Sequence, residues 1–276
     1  MTVTTKPLSE HVGVEILDVD AERMLADDAL AGECLELLDA HGVLVFRELH
    51  LDDETQVAFS RRLGPVEKVG RRDDGAEIFR VTLDPAKNPA ADYLKGTFDW
   101  HIDGMTDDIP IMATVLSAHQ VAAKGGDTEF ASTYAAYEAL SDEEKNQALD
   151  TRVVHSFLAA QKLSHPNASE ADIEFWSQRP PKTHPLVWRH GDGRKSLVLG
   201  ATTDHVEGMG EAKGKAYLAD LLERSTLPDR VYRHEWAVGD LVIWDNRGVL
   251  HRATRYDPTS ARDMHRTTIA GNEAVR

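Results

Sequence analysis

A histidine and an aspartate two residues apart, with a second histidine far along the chain, are the side chains best suited to do chemistry. His101 and Asp103 lie in the run Phe-Asp-Trp-His-Ile-Asp-Gly, and His251 ends the run Trp-Asp-Asn-Arg-Gly-Val-Leu-His. Two imidazoles and one carboxylate on one side of a metal ion leave coordination positions open, as in non-haem iron(II) oxygenases. The pattern therefore predicts a catalytic metal centre.

A histidine two residues before an acidic residue is, by itself, weak evidence for a metal site. It also occurs at His50 and Asp52, at His190 and Asp192, and at His205 and Glu207. The first pair precedes a predicted helix, where the acid is expected to act as a cap. The second lies in Arg-His-Gly-Asp-Gly-Arg, which is typical of a solvated hairpin tip.

The pair His101 and Asp103 differs because Trp100 and Ile102 alternate with it. A strand would direct both candidate ligands to one face and the apolar pair to the other. His251 alone would more often be a structural histidine. Its neighbourhood favours a ligand role, because an apolar strand and a tight turn precede it and an extended run rich in arginine follows.

The elements expected to position these residues begin with two helices, over about 28–40 and 53–63. Gly42 and Gly64 stand where these helices should end. The apolar run Val43–Phe46 predicts a buried strand directly after the first helix.

After Trp100 the pattern changes to short β-like runs separated by turn residues. These runs are 111–118, 196–199, 241–244 and 267–270. Two helical segments interrupt them, one opening with the capping-box pattern Ser141-Asp142-Glu143-Glu144 and one with leucines on a single face near 217–222. The pattern predicts a mainly β protein with flanking helices, either a β-sandwich or a jelly roll.

Composition is typical of a compact enzyme. The chain has 276 residues, of which 41% are hydrophobic, so it can bury a sizeable core, and we expect one domain. No stretch approaches the roughly 20 apolar residues that span a bilayer, and the first residues lack an apolar core. We therefore expect a cytoplasmic protein that does not bind membranes. Cys34 is the only cysteine, which excludes an intramolecular disulfide, and its helical spacing from leucines favours a buried thiol.

The formal charge of −16 argues against nucleic acid or an anionic membrane as a partner. The charge is uneven, because residues 247–276 carry six arginines against three acidic residues. Arg262 and Arg266 would share one face of an extended run. A pair of surface arginines would fit that pattern, but the planar guanidinium is also the best group for bidentate carboxylate recognition. We expect a small anionic ligand.

Several motifs resemble the taurine and 2,4-dichlorophenoxyacetate dioxygenases, the TauD/TfdA family, which depend on Fe(II) and 2-oxoglutarate. The resemblance spans nearly the whole chain, with the motifs in the order and spacing of the family. They are Trp100-His101-x-Asp103, Gly125-Gly126-Asp127-Thr128, Tyr134-x-x-Tyr137-x-x-Leu140, His184-Pro185-Leu186-Val187, and Gly239-Asp240-x-x-x-Trp244-Asp245-Asn246-Arg247 followed by His251 and Arg262.

The resemblance implies a role for each matching residue. His101, Asp103 and His251 would bind iron. Arg262 would pair with the distal carboxylate of 2-oxoglutarate, and Thr128 would donate a hydrogen bond to that carboxylate. Arg266 would lie beside the metal, where it could meet the other carboxylate of 2-oxoglutarate or an acidic group of the substrate.

The implied fold is a double-stranded β-helix, or jelly roll, with flanking helices. We expect a single dioxygenase domain over 1–276, with an N-terminal α/β flank over about 1–95 and helical insertions over about 135–180 and 211–225. The implied reaction consumes 2-oxoglutarate and O₂, releases succinate and CO₂, and hydroxylates a substrate carbon. Hydroxylation beside oxygen, sulfur or nitrogen could be followed by cleavage of that bond. A homo-oligomer is possible.

The substrate is expected to be an anion, most simply a carboxylate. Taurine-specific members carry a histidine and a tyrosine in a loop where this chain has the basic run 68–72, and an asparagine where it has Thr97. The runs 156–165 and 204–209 resemble the aryloxyalkanoate branch of the family instead. Lys162, Arg71 and Arg266 are the candidate carboxylate partners, although each could equally be a solvated charge.

Other functions fit part of the pattern. A member of the same family that cleaves alkylsulfonates or alkyl sulfates would use the same site. A zinc hydrolase could use the same three ligands with a metal-bound water, but it would not need Arg262 and Thr128. A non-catalytic jelly-roll binding protein would not turn over 2-oxoglutarate with any substrate.

Overall fold

The computed structural model describes residues 3–69 and 75–276. The strands are β1 (Thr5–Pro7), β2 (Val14–Ile16), β3 (Val43–Phe46), β4 (Phe79–Val81), β5 (Ala113–Gln120), β6 (Thr128–Ser132), β7 (Arg152–His155), β8 (Lys182–Pro185), β9 (Val187–Arg189), β10 (Lys195–Leu197), β11 (Thr203–Val206), β12 (Val231–His234), β13 (Leu241–Asp245), β14 (Val249–Ala253) and β15 (Asp263–Ile269). The α-helices are α1 (Ala21–Ala26), α2 (Leu30–His41), α3 (Asp53–Leu63), α4 (Thr133–Glu138), α5 (Asp142–Leu149), α6 (Phe157–Ser164), α7 (Glu170–Ser177) and α8 (Glu211–Ser225). Within the described segments, 3₁₀ helices cover Tyr93–Phe98 and Pro228–Arg230.

Two sheets frame the centre of the molecule. The large sheet has seven strands in the order β1-β2-β3-β13-β5-β15-β4, and all its neighbours are antiparallel except β2 and β3. The small sheet has the order β12-β6-β14 and is antiparallel throughout. A third sheet has the order β11-β7-β8, and β9 pairs with β10 as a hairpin. Mixed sheets with flanking helices agree with the fold class expected from the strand pattern.

The large sheet is buried on both faces, which explains why its central strands are continuously apolar. In β13, Leu241 and Ile243 pack in the cluster that contains α2 and α3, whereas Val242 and Trp244 pack in the cluster shared with the small sheet. Phe130 of β6 meets Trp244 across the gap, with ring centroids 5.5 Å apart. The space between the two sheets is therefore mostly filled by side chains.

Local signals locate several helix ends as predicted. The helix α2 ends before Gly42, whose φ of 74° lies in the left-handed region that favours glycine. Asp52 caps α3, because its carboxylate accepts from the Thr55 amide at 2.8 Å. Ser141 and Glu144 form the predicted capping box at α5. Each feature depends on residues close together in sequence, so the prediction needed no tertiary information.

The hairpin expected at 191–193 is present between β9 and β10. The prediction that its residues are solvated is correct for only some of them. Asp192 is exposed, whereas His190 is 7% exposed and packs on Trp188 with ring centroids 4.8 Å apart. The Nε2 atom of His190 lies 2.9 Å from the Ser196 hydroxyl. The histidine is therefore a buried structural residue at the base of the turn.

Cys34 is buried and free, as expected from its position in α2. Burial raises its pKa to about 12, so it is a poor nucleophile. In the segments that the structure describes, no helix combines the length and apolar character required to cross a bilayer.

Candidate active site

The three predicted metal ligands lie together at one end of the gap between the sheets. His101 and His251 form an isolated antiparallel bridge, in which each backbone amide donates to the carbonyl of the other residue, at 3.0 and 2.9 Å. The Asp103 carboxylate lies 3.8 Å from Nε2 of His101 and 3.7 Å from Nε2 of His251. One ligand atom from each residue lies within 4.8 Å of the other two. The three side chains can therefore reach one shared ion.

Hydrogen bonding prepares His101 for metal binding. Its Nδ1 lies 2.8 Å from the backbone carbonyl oxygen of Asp99, which can only accept, so Nδ1 carries the proton. The Nε2 lone pair is left to face Asp103 and His251. Burial, followed by the neighbouring imidazole of His101, lowers the pKa of His251 to about 3. The His251 imidazole is therefore neutral. Neutral imidazoles with a neighbouring carboxylate are suitable ligands for Fe(II).

Asp103 is held in its charged form. Burial alone would raise its pKa, but the guanidinium of Arg266, the neighbouring imidazoles of His251 and His101 and a hydrogen bond from Thr114 together lower it below its usual value. The guanidinium of Arg266 lies 3.6 Å from Oδ2, and the Thr114 hydroxyl donates to the same oxygen at 3.4 Å. The carboxylate is thus ready to bind a cation.

A short series of hydrogen bonds extends from Asp103 into the core. The Asn246 amide donates to the Thr114 hydroxyl at 2.9 Å, and the Trp244 indole donates to the Asn246 side-chain oxygen at 3.1 Å. Thr114 and Asn246 are fully buried. The Trp-Asp-Asn-Arg run in the sequence therefore supports the candidate metal ligand Asp103 through Thr114 on the neighbouring strand β5.

Replacing Thr114 with valine should weaken metal binding by about 10- to 100-fold, the usual effect of losing a hydrogen bond to a metal ligand. Titration of the apoprotein with Mn²⁺ measures it. Thr267→Val is a matched control, because Thr267 is also fully buried and bonds Ser60 on the opposite face of the large sheet. Equal affinities in the two variants would show that Thr114 does not support the site.

Gly200 is a supporting residue that the sequence did not reveal. Its φ is +114°, and a Cβ there would lie 2.8 Å from the Trp100 carbonyl oxygen and 2.9 Å from the His101 Cα. The amide of the next residue, Ala201, donates to the same Trp100 carbonyl at 2.7 Å. The backbone at Gly200 thus packs directly on the segment that carries the candidate ligand His101. Only the tertiary structure reveals this contact.

Arg262 is a buried cation that directly precedes β15. It is 3% exposed, its Nε donates to the Gly126 carbonyl at 3.1 Å, and its guanidinium lies 4.9 Å from the centre of the Tyr256 ring. Burial lowers its pKa, an effect that Tyr256 partly offsets. Within 3–69 and 75–276 it forms no ion pair with a carboxylate. A buried guanidinium left in this state fits a carboxylate ligand.

Gly126 makes room for this arginine. A Cβ at Gly126, where φ is +78°, would lie 2.9 Å from the Arg262 Cδ and 3.0 Å from its Nε. Thr128, two residues further on, accepts a hydrogen bond from the Trp236 indole at 3.0 Å. That contact leaves the proton of the Thr128 hydroxyl available for another acceptor. The arrangement of Arg262 and Thr128 fits the carboxylate of a co-substrate.

The candidate substrate residues lie in different places. Arg266 is beside Asp103, and its guanidinium lies 5.0 Å from the centre of the Phe79 ring. Lys162 is exposed on α6, and the Thr97 hydroxyl donates to the Leu94 carbonyl at 2.7 Å. Neither Lys162 nor Thr97 has a hydrogen bond or ion pair to the metal ligands in the described structure. Arg71 lies outside the described residues.

The sequence also did not reveal a pair of stacked aromatic residues. Tyr93 stacks on Phe157, with ring centroids 5.8 Å apart, and the Arg179 guanidinium lies 4.1 Å from the centre of the Phe157 ring. Burial and the charge of Asp103 raise the pKa of Tyr93, yet its surface is 46% accessible. Tyr93 therefore stacks on Phe157 while almost half of its own surface stays accessible. The 3₁₀ helix and α6 come together to form this wall, which no local pattern indicated.

Comparisons with known proteins agree with these features. The model of the family described as "Taurine catabolism dioxygenase TauD, TfdA family" matches residues 4–268. The alpha-ketoglutarate-dependent 2,4-dichlorophenoxyacetate dioxygenase of Cupriavidus pinatubonensis is 38% identical over 292 aligned positions, covering 100% of both chains. The (S)-phenoxypropionate/alpha-ketoglutarate-dioxygenase of Sphingobium herbicidovorans is 36% identical, covering 95% of this chain and 91% of the relative.

A crystal structure of AAD-2 in complex with Mn(II) and N-oxalylglycine superposes with a TM-score of 0.85 at 33% identity, covering 100% of both chains. The family resemblance drawn from the motifs, including its aryloxyalkanoate branch, is thereby confirmed. The alternatives of a zinc hydrolase and a non-catalytic binding protein are not needed. The chain is an oxidoreductase that uses Fe(II), 2-oxoglutarate and O₂, and it belongs to the TauD/TfdA family of dioxygenases.

Proposed function

We propose that the chain hydroxylates a small aryloxyalkanoate-like carboxylate. The observation that carries the proposal is the position of Arg266, a cation 3.6 Å from Asp103 whose guanidinium also lies 5.0 Å from the centre of the Phe79 ring. The relatives from Cupriavidus and Sphingobium are named for phenoxy-substituted acids. A carboxylate next to an aromatic ring would meet both a guanidinium and apolar rings at this place.

His101, Asp103 and His251 would hold Fe(II), and their neutral imidazoles and charged carboxylate suit that ion. The bound ion with 2-oxoglutarate and O₂ would supply the oxidising chemistry and leave succinate and CO₂. Arg262 and Thr128 would orient 2-oxoglutarate by its distal carboxylate.

The remaining residues would orient the substrate. Arg266 would balance part of the negative charge that Asp103 and the acid substrate bring together. Tyr93 and Phe157 would pack against the aryl group and exclude water from the reacting carbon. The facing large and small sheets support a jelly-roll core, and we propose that the whole chain acts as one dioxygenase domain.

An acid substrate should be favoured over its amide or methyl ester by roughly 1.5–3 kcal/mol, the range for hydrogen bonds to charged groups. That range corresponds to roughly 10- to 150-fold in kcat/KM. The measurement is succinate release stimulated by phenoxyacetic acid, its amide and its methyl ester, at low substrate, with Fe(II) and 2-oxoglutarate.

The same series in Arg266→Ala and Lys162→Ala identifies the residue responsible. We expect the selectivity for the acid to fall in Arg266→Ala and to persist in Lys162→Ala, because Lys162 is exposed on α6. Equal stimulation by the three compounds in the parent would contradict the proposal. Stimulation by a matched aryl sulfate or sulfonate but not by the acid would move the substrate class to those anions.

A further inference from the structure

A second group of potential metal ligands lies on the opposite face of the large sheet from the active site. It consists of Asp53, His119 and His265, and we call it the outer cluster. Asp53 is the first residue of α3, His119 lies near the end of β5, and His265 lies on β15. His265 directly precedes Arg266, and because side chains alternate along a strand the two point to opposite faces.

The geometry of the outer cluster resembles that of a site for one ion. One ligand atom from each residue lies within 4.8 Å of the other two, the same condition that the active-site ligands satisfy. Asp53 Oδ1 lies 2.5 Å from Nδ1 of His265 and 3.9 Å from Nε2 of His119. The two imidazoles stack with centroids 3.7 Å apart. One carboxylate therefore faces two imidazoles that lie side by side.

A distortion of the sheet helps to position His119. The register of β5 against β15 shifts at this point, because Gln120 pairs with Asp263 and Ala118 pairs with Met264. His119 is left without a cross-strand partner, and such bulges commonly redirect a side chain. The bulge lies in β5, next to the start of α3, where His119 can face Asp53.

His119 has an unused ligand atom. Its Nε2 is buried and has no hydrogen-bond partner. Burial, followed by the neighbouring His265, lowers the pKa of His119, and Arg80 acts in the same direction. The carboxylates of Asp53 and Asp263 act in the opposite direction. The imidazole is therefore neutral near pH 7, and a lone pair on it can bind a cation. A purely structural cluster would leave this buried nitrogen without a partner.

A further carboxylate lies behind the cluster. Oδ1 of Asp263 is 3.8 Å from Nε2 of His265, on the side of the ring away from Asp53. Asp263 is itself held by ion pairs with Arg80 and Lys87. A carboxylate on the far nitrogen of a ligating histidine is common at metal sites, where it fixes the ring and its tautomer.

We propose that the outer cluster binds a divalent transition-metal ion, of which Zn²⁺ is the representative, through Asp53, His119 and His265. Imidazole nitrogen and carboxylate oxygen are ordinary zinc ligands, and the half-exposed Asp53 leaves space for water as a fourth ligand. Binding would replace the hydrogen bond between His265 and Asp53. The ion would join α3 to β5 and β15, the strand that carries Arg266 and directly follows Arg262.

The test counts zinc ions bound per chain by equilibrium dialysis at low micromolar free Zn²⁺, followed by metal analysis. We expect two ions per chain in the parent, one in the active site and one in the outer cluster. His119→Gln and Asp53→Asn should each retain one. His205→Gln is the matched control, because His205 is an exposed histidine next to an acid elsewhere in the chain, and it should retain two.

A second measurement separates the two sites. In Asp103→Ala, which weakens the active site, Zn²⁺ should still raise the melting temperature, because an ion that binds only the folded chain stabilises it. Adding His119→Gln or Asp53→Asn to that background should remove the shift, with circular dichroism confirming that both double variants are folded. A single bound ion in the parent, or a zinc-dependent shift that survives both double variants, would overturn the proposal.

Discussion

Replacing Asp103 with alanine should abolish Fe(II)-dependent succinate release while leaving the chain folded. The carboxylate is the only anionic member of the triad, and the ion would have to compete with water using two neutral imidazoles alone. His101→Ala and His251→Ala should have the same effect. The measurement is succinate release under excess Fe(II), 2-oxoglutarate and O₂, with a parallel titration of Mn²⁺ to report metal affinity.

Asp192→Ala is a suitable control, because Asp192 lies on the exposed β9–β10 turn. Removing Asp103 also leaves Arg266 without the carboxylate that faces it. A loss of fold could therefore imitate a loss of metal, and circular dichroism must accompany the assay. Undiminished Fe(II)-dependent turnover in Asp103→Ala would remove the triad from the mechanism.

The parts of the fold that the sequence could predict depend on neighbouring residues. Gly42 ends α2 and Asp52 caps α3 because each satisfies backbone groups of its own helix end. The alternation of Trp100 and Ile102 with His101 and Asp103 correctly grouped the two candidate ligands, although the predicted strand is only an isolated bridge at His101 and Asp103 lies in a turn. Because these signals are local, they can be read from the sequence without knowledge of the tertiary structure.

The parts that could not be predicted depend on segments far apart in sequence. Gly200 contacts the backbone of His101 across about 100 residues, and Asn246 reaches Asp103 only through Thr114 on another strand. The stacking of Tyr93 on Phe157 also requires two segments to meet. His190 appeared to be solvated because its glycine-rich turn is exposed, although the histidine itself is buried. Residue type and spacing do not encode such contacts.

Replacing Arg262 with alanine should raise the KM for 2-oxoglutarate by roughly 30- to 4000-fold. Truncating one member of a desolvated charge pair costs roughly 2–5 kcal/mol, and each 1.4 kcal/mol is a factor of about ten. Arg262 meets this condition because it is 3% exposed and has no carboxylate partner within the described residues. The measurement is succinate release against 2-oxoglutarate concentration, at saturating Fe(II) and substrate.

Two further variants separate the charge of Arg262 from its shape and position. Arg262→Lys should recover only part of the affinity, since a point charge restores attraction but not the planar pair of hydrogen bonds. Arg233→Ala is the control, because Arg233 is a half-exposed arginine of the small sheet that pairs with Asp127, and its KM should match the parent. If Arg262→Ala titrated 2-oxoglutarate like the parent, the distal carboxylate would have to bind elsewhere. Arg266 would then be the next arginine to test, because it lies on β15 beside Asp103.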